Sequence, residues 1–204
     1  MPFIDFIHRL RARPAATPAA LGEFIARRGA FVAQKTVLDY CRVKSGRQEK
    51  ALFADADFQV ALAHCRWQTF IPALGDVTAL AEAWLRPHAQ GRESALAEAL
   101  GRLHDAALAA ETIPDDAREA ADAAPEVLRR RLAEAQRNPP PMANHLPLMA
   151  EAPLLATIPI HAEQRVGETV AIKGALRFHM VSTQQEMERG FDPPRLAQAL
   201  SSRF

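Results

Sequence analysis

Glycine, tyrosine and cysteine are scarce in this chain of 204 residues, which has nine glycines, one tyrosine and two cysteines. An all-β sandwich needs many glycine turns and many aromatic or β-branched strand residues, so this composition disfavours one. The two cysteines, Cys41 and Cys65, cannot build a disulfide framework and do not form a Cys-x-x-Cys pair. Both thiols are therefore expected to be reduced, as in a cytoplasmic protein.

Long apolar runs are also absent from the sequence. No uninterrupted apolar stretch approaches the roughly 18 residues that a membrane-spanning helix requires. The first ten residues include an acid and no long apolar stretch, which argues against a secretory signal peptide. We therefore expect no transmembrane segment and a cytoplasmic location, with peripheral contact at the inner membrane face as an alternative. Apolar residues make up 49% of the chain and charged residues 24%, as is usual for a folded globular protein.

Local motifs of catalysis and cofactor binding are missing as well. The sequence contains no glycine-rich phosphate loop, no dinucleotide fingerprint, no Gly-x-Ser-x-Gly elbow and no His-Glu-x-x-His or Glu-x-x-His pair. These absences predict no cofactor and no metal site, assign no catalytic residue, and favour a function without catalysis. One alternative remains: His64 and Cys65, together with Cys41 on the preceding helix, would form a zinc or redox site if those helices are neighbours. Burial of both thiols in the core is the simpler interpretation.

Helical spacing of apolar residues recurs along most of the chain and predicts an all-α fold, an irregular bundle of about seven to nine helices. Thr17-Pro18 is a typical helix start, and the helix that follows is expected to run to about Ser45-Gly46. Gly22 and Gly29 lie on nearly the same face of this helix. Because glycine weakens a helix, their presence predicts that another helix approaches closely there.

Proline positions suggest where helices end. Pro72, with Gly75 after it, is expected to end a central helix, and Asp76 is expected to cap a shorter one. Pro125 is expected to kink a later helix or divide it in two. Pro139-Pro140-Pro141 marks a linker. The predicted organisation is therefore a main bundle over residues 1–137, a Pro-rich linker over 138–161, and a helical unit over 162–204 that packs on the bundle.

The C-terminal unit has two apolar rows at helical spacing. One row comprises Val166, Val170, Gly174, Phe178 and Val181, and the other comprises Ile172, Leu176, Met180, Thr183 and Met187. Asp192-Pro193 is expected to begin a last short helix.

Charge is unevenly distributed, although the formal net charge of the chain is only +1. Residues 1–50 hold ten Lys and Arg but four Asp and Glu, a net charge of +6. Residues 93–126 hold two Arg but nine Asp and Glu, a net charge of −7. Arg27 and Arg28 could extend a basic face begun by the arginines near the N-terminus. Such a face would suit an acidic partner, although charged helix faces often serve only to stay solvated.

The N-terminal segment is predicted to form an amphipathic helix over residues 3–12. Its large apolar residues are Phe3, Ile4, Phe6, Ile7 and Leu10, and its basic residues are Arg9, Arg11 and Arg13. The apolar side chains would dock on the bundle, enter the groove of a partner protein, or lie on a membrane surface with residues 3–13 in contact with headgroups. These eight residues are the candidate contact residues for a partner or a membrane.

Together these features predict a non-catalytic helical interaction protein, an adaptor, assembly factor or regulatory subunit that acts through apolar helix faces and polarised charge. A protein partner or a homo-oligomer is expected, and nucleic acid is not, because no recognition helix or stacking aromatics accompany the arginines. The alternative function is a helical small-ligand carrier or enzyme with a pocket near Trp67, Trp84 and His64.

Overall fold

Helices joined by short turns make up the fold, which the computed structural model describes over residues 14–202. This range contains no β-strand and eight α-helices, seven of them at least seven residues long. This confirms the predicted all-α class and its helix number. The helices are α1 (Pro18–Ser45), α2 (Glu49–Ala54), α3 (Ala56–Leu85), α4 (Glu93–Ala109), α5 (Asp115–Ala135), α6 (Glu151–Thr157), α7 (Thr169–Gly190) and α8 (Pro193–Ser201).

Side-chain caps begin three of these helices. Thr17 Oγ1 accepts a hydrogen bond from Ala20 N at 3.3 Å at the start of α1, as the sequence predicts. Asp192 Oδ1 accepts one from Arg195 N at 3.2 Å at the start of α8, which is also as predicted. Asp55 caps α3 through Phe58 N at 2.8 Å. Each bond satisfies one of the N–H groups that a helix leaves unpaired in its first turn.

Helix α3 is the centre of the bundle, because it packs against all seven other α-helices. Its residues 73–83 are all buried, so this part of the helix has no solvent face. The prediction that Pro72 ends a helix is wrong. Pro72 and Gly75 both lie inside α3, which continues for 30 residues. Burial on every side compensates for the single backbone hydrogen bond that proline removes.

Asp76 does not cap a helix of its own, which corrects a second prediction. Its side chain is 1% exposed in the middle of α3 and bonds to groups distant in sequence. Helix α5 runs unbroken for 21 residues with Pro125 inside it, so the prediction that Pro125 divides it in two is wrong, whereas the predicted kink stays a prediction.

Helix α1 approaches α3 closely at Gly29, as the glycine pattern predicts. A Cβ atom added to Gly29 would lie 3.0 Å from Leu74 Cα, a backbone atom of α3. At Gly22 the nearest atom to an added Cβ is Leu103 Cδ2 at 3.3 Å, the end of a side chain. Backbone atoms cannot rotate away, whereas the Leu103 side chain can.

We therefore expect Gly29→Ala to lower the free energy of unfolding by about 1–2 kcal/mol, since overpacking outweighs the gain of up to about 1 kcal/mol in helix propensity. Urea denaturation followed by circular dichroism would measure the change. The matched control, Gly22→Ala, is expected to leave stability unchanged or slightly higher. A Gly29→Ala protein as stable as Gly22→Ala would contradict the close approach.

The segment between α5 and α7 carries the short helix α6, which packs on α3 and α7. The two apolar rows of α7 differ in how deeply they are buried. The row from Ile172 to Met187 is fully buried, with no side chain more than 1% exposed. Two backbone hydrogen bonds join the segment before α1 to the end of α7. Ala15 N donates to Gly190 O at 2.8 Å, and Asp192 N donates to Ala15 O at 3.0 Å. The division into a bundle, a linker and a C-terminal unit stays a prediction.

Candidate functional site

A buried polar contact holds α7 against α1. The guanidinium of Arg28, which is 5% exposed, donates through Nε and Nη2 to Thr183 Oγ1 at 3.1 and 3.0 Å. Its Nη1 donates to Glu186 Oε1 at 2.9 Å. Arg28 is therefore an internal link between two helices and does not form a basic surface with Arg27, which corrects that prediction.

An aromatic cluster extends from this link to the surface. The Arg28 guanidinium lies over the Phe31 ring, 4.3 Å from its centroid. Phe31 and Phe178 both make edge contacts with the His179 ring, at centroid distances of 5.5 and 5.6 Å. Burial lowers the pKa of His179, so this ring is mostly neutral at pH 7. Cation–π and edge contacts of this kind fix the orientation of the rings.

Most of the outer row of α7 is exposed, although Val181 is partly buried against the core. Val170 and Phe178 are 79% and 69% exposed, and Gly174 lies midway between them on the same face. We call Val170, Gly174 and Phe178 the α7 row. Val166, which precedes the helix, is also exposed. The spacing in the sequence predicts that these residues share one helix face, but it does not predict that this face is exposed to solvent.

Gly174 is unexplained by the fold of the single chain. It lies inside a 22-residue helix, its φ is not positive, and a Cβ added to it would meet nothing within 4 Å. Glycine at such a position costs about 0.5–1 kcal/mol relative to alanine. Unlike Gly29, it brings no neighbouring helix of the described chain closer.

Charged side chains around the α7 row are paired within the chain. Lys44 bonds Glu168 at 2.7 Å, Lys35 bonds Asp39 at 2.7 Å, and Lys173 pairs with Glu151. Arg177 donates to the backbone carbonyls of Ala143 and Leu146. The three lysines are therefore neutralised by acids of the same chain, whereas the acceptors of Arg177 are neutral carbonyls.

The predicted contact residues near the N-terminus lie outside the described range. They are Phe3, Ile4, Phe6, Ile7, Arg9, Leu10, Arg11 and Arg13, and their role as partner or membrane contacts stays a prediction. None of the helices between residues 14 and 202 has both the length and the apolar character needed to cross a membrane.

The proposed cluster of His64 with two thiols does not form. His64 Nδ1 bonds Asp116 Oδ2 at 2.6 Å on a partly exposed surface, whereas Cys41 and Cys65 are fully buried. Burial, with the nearby Cys65, raises the pKa of the Cys41 thiol to about 12. A thiol with this pKa is a poor nucleophile near neutral pH. In the described part of the chain no three His, Cys, Asp or Glu side chains are arranged to hold a metal ion.

A cavity of 260 Å³ does lie beside Trp67, but neither Trp84 nor His64 lines it. Arg66 lines it, and the Nε atom of this arginine is buried without a hydrogen-bond partner. Larger cavities lie on the other side of α3. One of 380 Å³ adjoins Pro72, and one of 540 Å³ follows the C-terminal half of α5. Of the three residues named for the alternative function, Trp67 alone lines this cavity, and the function as a ligand carrier or enzyme stays a prediction.

Sequence reasoning did not identify the buried ionisable side chains of Glu82 on α3, Arg86 directly after it and His104 on α4, and it gave the buried Asp76 a capping role. Asp76 Oδ1 and Oδ2 accept hydrogen bonds from Met149 N and Ala150 N at 2.8 and 3.0 Å. The signal that could have found the two acids is their position within an otherwise apolar stretch of α3, since unpaired carboxylates are rarely buried.

This chain matches no protein family, no curated protein and no solved structure.

Proposed function

We propose that this protein is a non-catalytic interaction protein, an adaptor, assembly factor or regulatory subunit, whose recognition surface is the α7 row. The observation that carries the proposal is the exposure of Val170 and Phe178 on either side of Gly174. Exposed apolar side chains grouped on one helix face are characteristic of interaction sites. Phe178 rests on His179, and this packing supports it as an aromatic anchor of the kind that dominates binding energy.

The occupant we propose for this surface is a second copy of the chain. Val170 and Phe178 are each four residues from Gly174, so the row is symmetric in spacing. In an antiparallel pair of α7 helices with a twofold axis at Gly174, Val170 of each copy lies opposite Phe178 of the other. The missing side chain of Gly174 lets the two backbones approach at the crossing point.

Electrostatics support self-pairing as well. Lys44, Lys173 and Lys35 are each paired with an acid of the same chain, so these lysines would meet a second copy already neutralised. The small area of two apolar side chains suits a weak, reversible dimer rather than an obligate one.

Sedimentation equilibrium of the full chain tests this directly. We expect a monomer–dimer equilibrium below about 1 mM, which corresponds to about −4 kcal/mol of binding free energy. Phe178→Glu and Gly174→Leu are expected to weaken the dimer at least tenfold, one by placing a charge in the contact and the other by separating the helices. Gly174→Leu is expected to keep or raise the monomer's stability, since the added side chain meets open space.

Val60→Glu is the matched control, because Val60 is apolar, is 71% exposed against 69% for Phe178, and lies on α3 outside the row. Oxidation of a Gly174→Cys protein should further give a covalent dimer that a Val60→Cys protein does not give. A wild-type chain that stays monomeric up to about 1 mM would show that self-pairing is wrong. An equal effect of Phe178→Glu and Val60→Glu would show that the dimer does not use the α7 row.

A further inference from the structure

The proline inside α3 adjoins a cavity that the interaction surface does not use. Pro72 cannot donate a backbone hydrogen bond, and the 380 Å³ cavity beside it lies between α3 and α5. Most of its lining is apolar, including Ile71, Pro72, Ala124 and Met149. Its volume lies within the range of about 300–1,000 Å³ that small-molecule sites occupy.

One buried polar side chain, His104, lines this cavity and is incompletely bonded. His104 is 1% exposed, and its Nδ1 lies 3.0 Å from Asp105 Oδ1. No group of residues 14–202 bonds the other ring nitrogen, Nε2. A ligand that donates a hydrogen bond would give this nitrogen a partner.

The tautomer of His104 determines whether its second ring nitrogen donates or accepts a hydrogen bond. A carboxylate only accepts hydrogen bonds, so Nδ1 carries the proton that Asp105 accepts, and Nε2 presents a lone pair. Burial lowers the pKa of His104, although Asp105 opposes this, so the ring is mostly neutral at pH 7. The cavity therefore offers the Nε2 lone pair as an acceptor, and its other polar lining side chain is Gln68, which donates through Nε2 to Asp116 O at 3.1 Å.

The lining also excludes charged ligands. No Asp, Glu, Lys or Arg belongs to the described residues that line the cavity. A charged ligand would lose its hydration there without gaining an opposite charge. The polar group of the ligand must be a neutral donor, and a hydroxyl is the simplest one that meets a lone pair.

We propose that this cavity binds a small, neutral, apolar molecule with a single hydroxyl group, a phenol or an alcohol, whose O–H donates to His104 Nε2. The site is independent of the α7 row, and its ligand gives the protein a second, small-molecule function.

A pair of probes that differ by the hydroxyl tests the proposal: p-cresol and toluene, titrated into the ¹⁵N-labelled full chain at pH 7.5. We expect p-cresol to shift the amide signals of residues around the cavity and to bind about two- to tenfold more tightly than toluene, as one hydrogen bond allows. His104→Phe keeps an aromatic ring without the acceptor. In that variant we expect p-cresol to bind only as tightly as toluene.

A second variant keeps the test decisive if His104→Phe does not fold. Ala124→Phe fills the cavity and is expected to abolish binding of both probes. Ala123→Phe is its matched control, because Ala123 is exposed on the same helix and does not line the cavity. Equal affinity of the wild-type chain for both probes, or binding of p-cresol that survives Ala124→Phe, would overturn the proposal.

Discussion

Replacing Asp76 with alanine is expected to lower the free energy of unfolding by about 3–5 kcal/mol, since one partner of a buried ion pair is removed. The Asp76 carboxylate accepts hydrogen bonds from Arg131 Nη1, Met149 N and Ala150 N. Alanine would leave the largely buried guanidinium of Arg131 without its counter-charge, and two backbone N–H groups without a partner. Burial raises the pKa of Asp76, and Arg131 and both N–H groups oppose that increase.

Chemical denaturation at pH 7 measures this effect. Asp115→Ala is the matched control, because Asp115 also pairs with an arginine, Arg118, but is 99% exposed. Surface pairs contribute about 0–1 kcal/mol, so the control should be nearly as stable as the wild-type chain. The double variant Asp76→Leu/Arg131→Met should recover much of the loss, because apolar side chains can replace a buried pair. Equal stability of Asp76→Ala and Asp115→Ala would refute the structural role of Asp76.

Glu82→Ala is expected to have a similarly large effect, about 3–5 kcal/mol. Glu82 is fully buried, and Arg86 donates to both of its oxygens, at 2.9 and 2.7 Å. Arg86 Nη1 also donates to the carbonyls of Ala135 and Asn138 at 2.9 and 2.7 Å, which ties the end of α5 to α3. Without Glu82, a buried guanidinium would remain with only backbone acceptors.

A Glu–Arg pair of the same spacing provides the control for this experiment. Glu98 and Arg102 are also four residues apart, on α4, but both are largely exposed. Glu98→Ala is expected to cost about 0.5 kcal/mol or less. Hydrogen exchange adds a local readout, since Glu82→Ala should speed the exchange of amides near residues 135–138. The expectation fails if the two glutamate variants unfold at the same denaturant concentration.

Local sequence signals predicted the helices well where the deciding interactions are themselves local. Thr17 and Asp192 cap their helices through bonds three residues away, so spacing alone identifies them. Asp76 is different, because its position after a proline and a glycine resembles a cap. Its partner Arg131 is 55 residues away and is not visible in any local pattern.

The candidate sites show the same division between periodicity and tertiary contact. Periodicity identified both apolar rows of α7 but could not determine which one faces the core, since both are apolar. Packing against α1 and α3 decides it: Leu176 is buried and Phe178 is exposed. His104 gave no signal, because a single histidine in a helix of leucines carries no motif, and its free nitrogen is defined only by the surrounding fold.

The central position of α3 has a consequence for how the protein is made. Five of its seven partner helices, α4 to α8, follow it along the chain and leave the ribosome later. During translation the apolar residues from Ala73 to Ala83 therefore have only α1 and α2 to cover them. Exposed apolar segments of nascent chains are prone to aggregation. The unfinished chain is therefore exposed to aggregation through this one helix until the later helices have emerged.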